Sequence, residues 1–99
     1  MHIKDDYCQF LSLRVNSEAG TISSYVRAMD IIDEALKSPK SVWSIRDVSR
    51  LQQLLEYVKR EQRKVDGGIF KAVKTKSYWQ QGFCSAALAK FIEFVETQS

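Results

Sequence analysis

The chain has 99 residues, 44% of them hydrophobic, with one proline, four glycines, two cysteines and a formal net charge of +3. That size suits one domain with a core that needs no staples, and the shortage of glycine, proline and β-branched runs excludes a sandwich and favours an all-α fold. Met1 to Asp6 lacks the apolar core of a secretory signal, and no apolar run reaches the roughly 20 residues that span a bilayer, so a cytoplasmic chain without a membrane partner is expected.

Ile3, Tyr7, Phe10 and Leu11 recur at helical spacing and predict a first helix from about Lys4 to Leu13. Asn16 to Gly20 reads as a turn. Thr21 is the expected N-cap of a second helix, with Ile22, Tyr25, Val26, Met29, Ile32 and Leu36 inward. Arg27, Asp30, Asp33, Glu34 and Lys37 lie on its outer side, a mixed-charge face expected to be solvated. Ser38-Pro39-Lys40 ends this helix, and Val42 and Trp43 precede the next, where a large aromatic plugs the core.

Ser44-Ile45-Arg46-Asp47 reads as a capping-box variant with Asp in place of Glu. The third helix is predicted to run to about Val65 and to stop at Asp66-Gly67-Gly68, where glycine supplies a left-handed cap. Its inward side is read as Val48, Leu51, Leu54, Leu55, Val58 and Val65. A basic connector follows from Ile69 to Lys76, with Ile69, Phe70 and Val73 tucked down. Ser77 is the expected cap of a last helix, Tyr78 to about Glu96, which is apolar around most of its circumference. Such a helix belongs at the centre of a bundle, and Gly82 with Ala86-Ala87 would let a neighbour approach closely. The expected architecture is a compact bundle of four to five helices in a single domain, 1–99, which reads as the N-terminal part of a longer protein.

Charge is segregated along this frame. Residues 37 to 76 hold eleven Lys/Arg and four Asp/Glu, a net of +7, while the segments before and after carry −3 and −1. A polyanion responds to such a local field rather than to the total. Projected on an ideal helix, Arg46, Arg50, Gln53, Tyr57, Arg60 and Lys64 stay within about 40° of a common line. Four cations, an amide and a flat aromatic suit phosphate and base-edge contact. Lys71, Lys74 and Lys76 on the connector extend the set. Glu56 and Glu61 flank the stripe and would blunt it if they pair with its cations.

Other chemistry is not visible. His2, Cys8 and Cys84 are the only soft ligands and lack paired spacing, so no metal site is expected. No nucleophile has a base beside it and no glycine-rich loop follows a strand, so neither catalysis nor a cofactor is expected. The two cysteines are isolated among apolar neighbours and read as reduced thiols, with a disulfide between them left open by the sequence.

The order of segments resembles a known family. Thr21 to Leu36 (TISSYVRAMDIIDEAL), the capped entry from Ser44 with the leucine-spaced helix to Val58, and Ser77 to Val95 (SYWQQGFCSAALAKFIEFV) resemble three successive blocks of the SAM-like core-binding domain of tyrosine recombinases and phage integrases. They are also similar to the N-terminal helical domain that precedes HNH or restriction-type nuclease domains in bacteria. The resemblance covers about Thr21 to Glu96. It implies a non-catalytic domain that holds double-stranded DNA beside a downstream catalytic domain, with Arg46, Arg50, Arg60, Lys64 and Lys71, Lys74, Lys76 as contacts. The recombinase catalytic residues and an HNH motif have no counterpart in this chain. The alternative is a protein-interaction or homo-oligomerising module whose basic face only keeps it soluble; an exposed Trp43, Phe70 or Tyr78 would support that reading.

Overall fold

The computed structural model describes residues 3–14, 19–37, 40–71, 73 and 82–98, which form four α-helices and two short 3-10 helices, with no strand among the described residues. The first helix, α1, is Ile3–Arg14, with Asp5 and Asp6 in its first turn, where the helix dipole favours negative charge. Its i, i+3, i+4 set of Tyr7, Phe10 and Leu11 is buried.

Helix α2 is Ala19–Leu36. Thr21 is therefore inside the helix and is not its cap. Ala19 ranks as the best helix former, and starting there adds backbone hydrogen bonds that a start at Thr21 would forgo. The expected turn loses Ala19 and Gly20 to this helix, and its residues 16–18 lie outside the described residues. Ala28, Met29, Ile31 and Ile32 are fully buried, and Ile22, Tyr25, Val26 and Leu36 pack on the core at its edge.

The supposedly solvated side of α2 has a structural task. A 3-10 helix, Val42–Ser44, lies over it, with Val42 and Trp43 buried. The Asp33 carboxylate accepts from the Ser41 hydroxyl at 2.8 Å and from the Val42 N–H at 2.9 Å. Asp30 accepts from the Trp43 indole N–H at 2.9 Å and pairs with Lys4 at 3.0 Å. Two carboxylates one turn apart thus fasten the connector onto α2, through charge-assisted bonds of the stronger kind.

Helix α3 is Val48–Gln62, and its N-cap is Asp47, whose carboxylate accepts from the N–H groups of Ser49 and Arg50 at 3.0 and 3.4 Å. The predicted cap, Ser44, is used otherwise: it ends the 3-10 helix and donates its hydroxyl to the Ser41 carbonyl. The helix stops three residues short of Val65, with the Arg63 N–H bonded back to Arg60 and Glu61. Val65, expected in the core, is fully exposed.

Gly67 has φ +88° and Gly68 φ +54°, a left-handed pair that turns the chain into a second 3-10 helix, Gly68–Phe70. Phe70 and Val73 are buried and Ile69 half-buried, so the connector tucks down as its apolar residues predict. Ser77, Tyr78 and Trp79 fall outside the described residues.

Helix α4, Phe83–Gln98, packs on α1, α2 and α3 and buries Cys84, Ala87, Leu88, Phe91, Phe94 and Val95 among others. It is central as its sequence predicts, but it begins at Phe83 and not at Tyr78, because the left-handed Gly82 stands before it. Gly82, just before it, has φ +80°, and a Cβ there would meet nothing within 4 Å. Its glycine serves the left-handed turn and not the close approach expected of it. Tyr7 is the aromatic hub, edge-on to Trp43, Phe91 and Phe94 with centroids at 5.6, 5.6 and 5.9 Å. Its hydroxyl donates to the Ala87 carbonyl at 2.7 Å, and burial pushes its ionisation well above the usual tyrosine range. The radius of gyration is 12.8 Å, close to the roughly 13 Å of a compact chain of this length.

Candidate functional site

The solvent face of α3 carries Arg50, Gln53, Tyr57 and Arg60, all exposed. Their i, i+3, i+7, i+10 spacing keeps them on one line, because the helix is regular from Val48 to Gln62. Neither Arg50 nor Arg60 has a salt-bridge partner among the described residues. Glu56, an exposed acid beside this face, is 3.7 Å from Lys59 on the flank. An exposed pair of this kind contributes at most about 1 kcal/mol, so Glu56 still subtracts from the positive field of this face.

The two ends of the projected stripe lie off the helix. Arg46 precedes the cap, and its guanidinium turns back to donate to the Trp43 and Ile45 carbonyls at 2.7 and 3.2 Å. It keeps its charge and loses its reach. Lys64 follows the helix and pairs with Glu61 at 2.6 Å, which raises the lysine's pKa. Glu61 itself is 8% exposed. Its other oxygen accepts from the Ile69 N–H at 3.1 Å, so the carboxylate ties the end of α3 to the following turn. Of the two flanking acids, Glu61 is the one that takes a stripe cation.

Lys71 does not share the α3 face: it borders a separate hollow with Lys37, Glu34 and Ile69. Lys74 and Lys76 lie outside the described residues. The α3 N-terminus, where the dipole would attract a phosphate, already holds the Asp47 carboxylate. Trp43 and Phe70 are buried at 5% and 0% exposure, which removes two of the three apolar contacts that an interaction module would use; Tyr78 is outside the described residues.

Two features were not foreseen. Arg63, the C-cap of α3, is exposed three residues beyond Arg60 and adds a cation at that end of the helix, about 100° round from the stripe's common line. A groove of about 340 Å³ also runs beside the stripe. Its floor is Leu36, Val42, Ile45 and Leu54, from α2, the connector that carries the first 3-10 helix, and α3. Its rim includes Lys40, Arg50, Gln53 and Tyr57. The i, i+3 spacing of Arg60 and Arg63 was available in the sequence. The groove was not, because three separate segments build it.

Among the described residues no group of three or more His, Cys, Asp or Glu is gathered in metal-binding range, and no helix is long and apolar enough to cross a membrane. Both cysteines are free thiols, Cys8 half-buried and Cys84 buried. Comparison with known proteins returned no match to any family model, curated protein or solved structure.

Proposed function

We propose that this domain is a non-catalytic DNA-binding module that grips the phosphate backbone of a duplex through the exposed face of α3. The observation that carries the reading is the pair Arg50 and Arg60, ten residues apart on one helix face and without salt-bridge partners among the described residues. Guanidinium groups are well suited to phosphate, because their planar fork matches its oxygens and is weakly hydrated. Gln53 and Tyr57 between them supply an amide and a ring for sugar or base edges. Arg46 adds to the field, and Lys64 becomes available only when its pair with Glu61 opens. Lys71 lies off this face and adds only to the general field, and Lys74 and Lys76 lie outside the described residues.

The resemblance to core-binding and nuclease-associated helical domains extends this reading to a bacterial nuclease or recombinase-like enzyme. In it, a separate catalytic domain would act on the DNA that this one holds. A second reading rests on Leu13, 84% exposed beside the hollow lined by Phe10 and Phe94. A copy of the chain or another protein covering that end of α1 and α4 would give a mass that rises with concentration.

The test is fluorescence-anisotropy titration with a mixed-sequence duplex at several salt concentrations. Arg50, Arg60 and Arg63 as three phosphate contacts predict a log–log salt slope of about −2.7, at roughly 0.9 per contact. From the sequence, about five phosphate contacts among Arg46, Arg50, Arg60, Lys64 and the connector lysines suggest −4 to −5; Arg46 and Lys64 are held by partners of their own, so fewer contacts and a shallower slope are expected. No binding at about 50 mM salt by the folded protein would overturn the reading.

A further inference from the structure

Resting on that DNA reading, we infer that the groove beside α3 is a pocket for one unpaired base, so that the favoured ligand is DNA with a nucleotide out of its stack. A rod-like duplex lying along the stripe would have no use for an apolar hollow. Yet the stripe residues Arg50, Gln53 and Tyr57 are also the rim of one. The floor of Leu36, Val42, Ile45 and Leu54 is apolar, as a base face requires. Along α3 the rim runs from a guanidinium through an amide to an aromatic ring, at i, i+3 and i+7, so that phosphate, base edge and base face each meet the chemistry that recognises it. Among the described residues no acidic side chain lines the groove, and Lys40 and Arg50 at its rim are cationic.

Size decides between a base and a peptide. A helix docked in a groove seats a row of anchors at i, i+3, i+4 and i+7, and four such side chains need more room than one ring system. A hollow of about 340 Å³ is at the small end for ligand sites and accommodates one ring system with its sugar. A peptide that adds as a strand needs a sheet edge, and the described residues contain no strand. Taking a base out of a perfect duplex costs a few kcal/mol, and least where the base has no partner. The preference is therefore for a bulge, a gap or a single-stranded stretch.

The experiment uses three labelled DNAs with the full chain: a perfect duplex, the same duplex with one unpaired thymidine, and the same bulge with an abasic residue. The pocket predicts that the thymidine bulge binds about fivefold to a hundredfold more tightly than either of the others, from the range for stacking one base on an aromatic ring. The salt slopes are expected to be equal, because the phosphates contacted are the same. Tyr57→Ala removes the preference and Tyr57→Phe keeps it; both are surface changes that leave the circular dichroism spectrum intact. In an NMR titration the methyl groups of Ile45 and Leu54 shift with the thymidine bulge and stay in place with the abasic one. Equal binding of all three DNAs overturns the pocket and leaves the phosphate-gripping reading standing. Absence of binding to all three overturns both. Methyl shifts produced by an acidic, leucine-rich peptide and not by the bulged DNA would overturn the pocket in favour of a protein partner.

Discussion

Asp33→Ala is the substitution with the clearest structural consequence away from the core. Its carboxylate accepts two hydrogen bonds, from Ser41 Oγ at 2.8 Å and from the Val42 N–H at 2.9 Å. These hold the 3-10 helix whose Val42 forms part of the groove floor. A hydrogen bond to a charged group contributes about 1.5–3 kcal/mol, and leaving the Val42 N–H without its acceptor carries its own cost. Because Asp33 is half-buried, the lower end applies to each bond, and the total expected loss is about 2–3 kcal/mol. For a domain of this size each kcal/mol lowers Tm by about 4–8 °C, so a drop of roughly 10 °C or more is expected. Asp33→Asn keeps an oxygen for Val42 and presents an amide that Ser41 Oγ can accept, so it should lose only about 1 kcal/mol. Glu34→Ala, the exposed neighbour, should fall within about 0.5 kcal/mol of wild type. Thermal melts and urea titrations read by circular dichroism measure all three. A shift below about 2 °C for Asp33→Ala, or equal losses for the Ala and Asn variants, would refute the role given to this carboxylate.

Gly68 and Gly82, both left-handed, should respond differently to alanine. At Gly68 a Cβ would stand 2.5 Å from Glu61 Oε1 and 3.0 Å from the Glu61 carbonyl, so Gly68→Ala should cost about 2–3 kcal/mol. Gly82→Ala meets open space and should cost only the left-handed penalty of about 1 kcal/mol; equal urea midpoints for the two would contradict this. Tyr7→Phe removes the hydroxyl that donates to Ala87 and keeps the ring contacts, so a loss of about 1 kcal/mol is expected in the same assay. Burial pushes the Cys84 thiol from its ordinary 9.0 up to about 12. The raised folded value means that its contribution is whole below about pH 9 and fades as pH rises toward 12, by at most about 1.4 kcal/mol per pH unit. Cys84→Ala should flatten the alkaline limb of a stability–pH curve, and at pH 8 a thiol reagent should label Cys8 well ahead of Cys84.

The helices were legible because apolar spacing reports a buried face directly: Tyr7, Phe10 and Leu11, or Met29 and Ile32, are buried where periodicity puts them. Their ends were less so. Ser44 and Asp47 are both competent caps, and burial of Trp43 in a 3-10 helix decided for Asp47 by giving Ser44 another task. That three-residue change took Arg46 off the helix, while the early stop at Gln62 did the same to Lys64 and left Val65 in solvent. Asp30 and Asp33 looked solvated because a helical projection knows only its own helix. The chain that returns over them after Lys40 is a tertiary fact. The middle of the stripe, Arg50 to Arg60, survived because it depends on helix regularity alone. The groove depends on three segments meeting, which no single periodicity encodes.

The central claim is that DNA is held by the α3 face and not by positive charge in general. The direct measurement compares Arg50→Glu/Arg60→Glu with Arg27→Glu/Lys90→Glu, which changes net charge equally on α2 and α4. Duplex binding is read by anisotropy at one low salt concentration. The account predicts a loss of about a hundredfold or more for the α3 pair, from two charge-assisted contacts, and less than about threefold for the other. Equal losses for the two variants, or an α3 pair that binds as well as wild type, would contradict it.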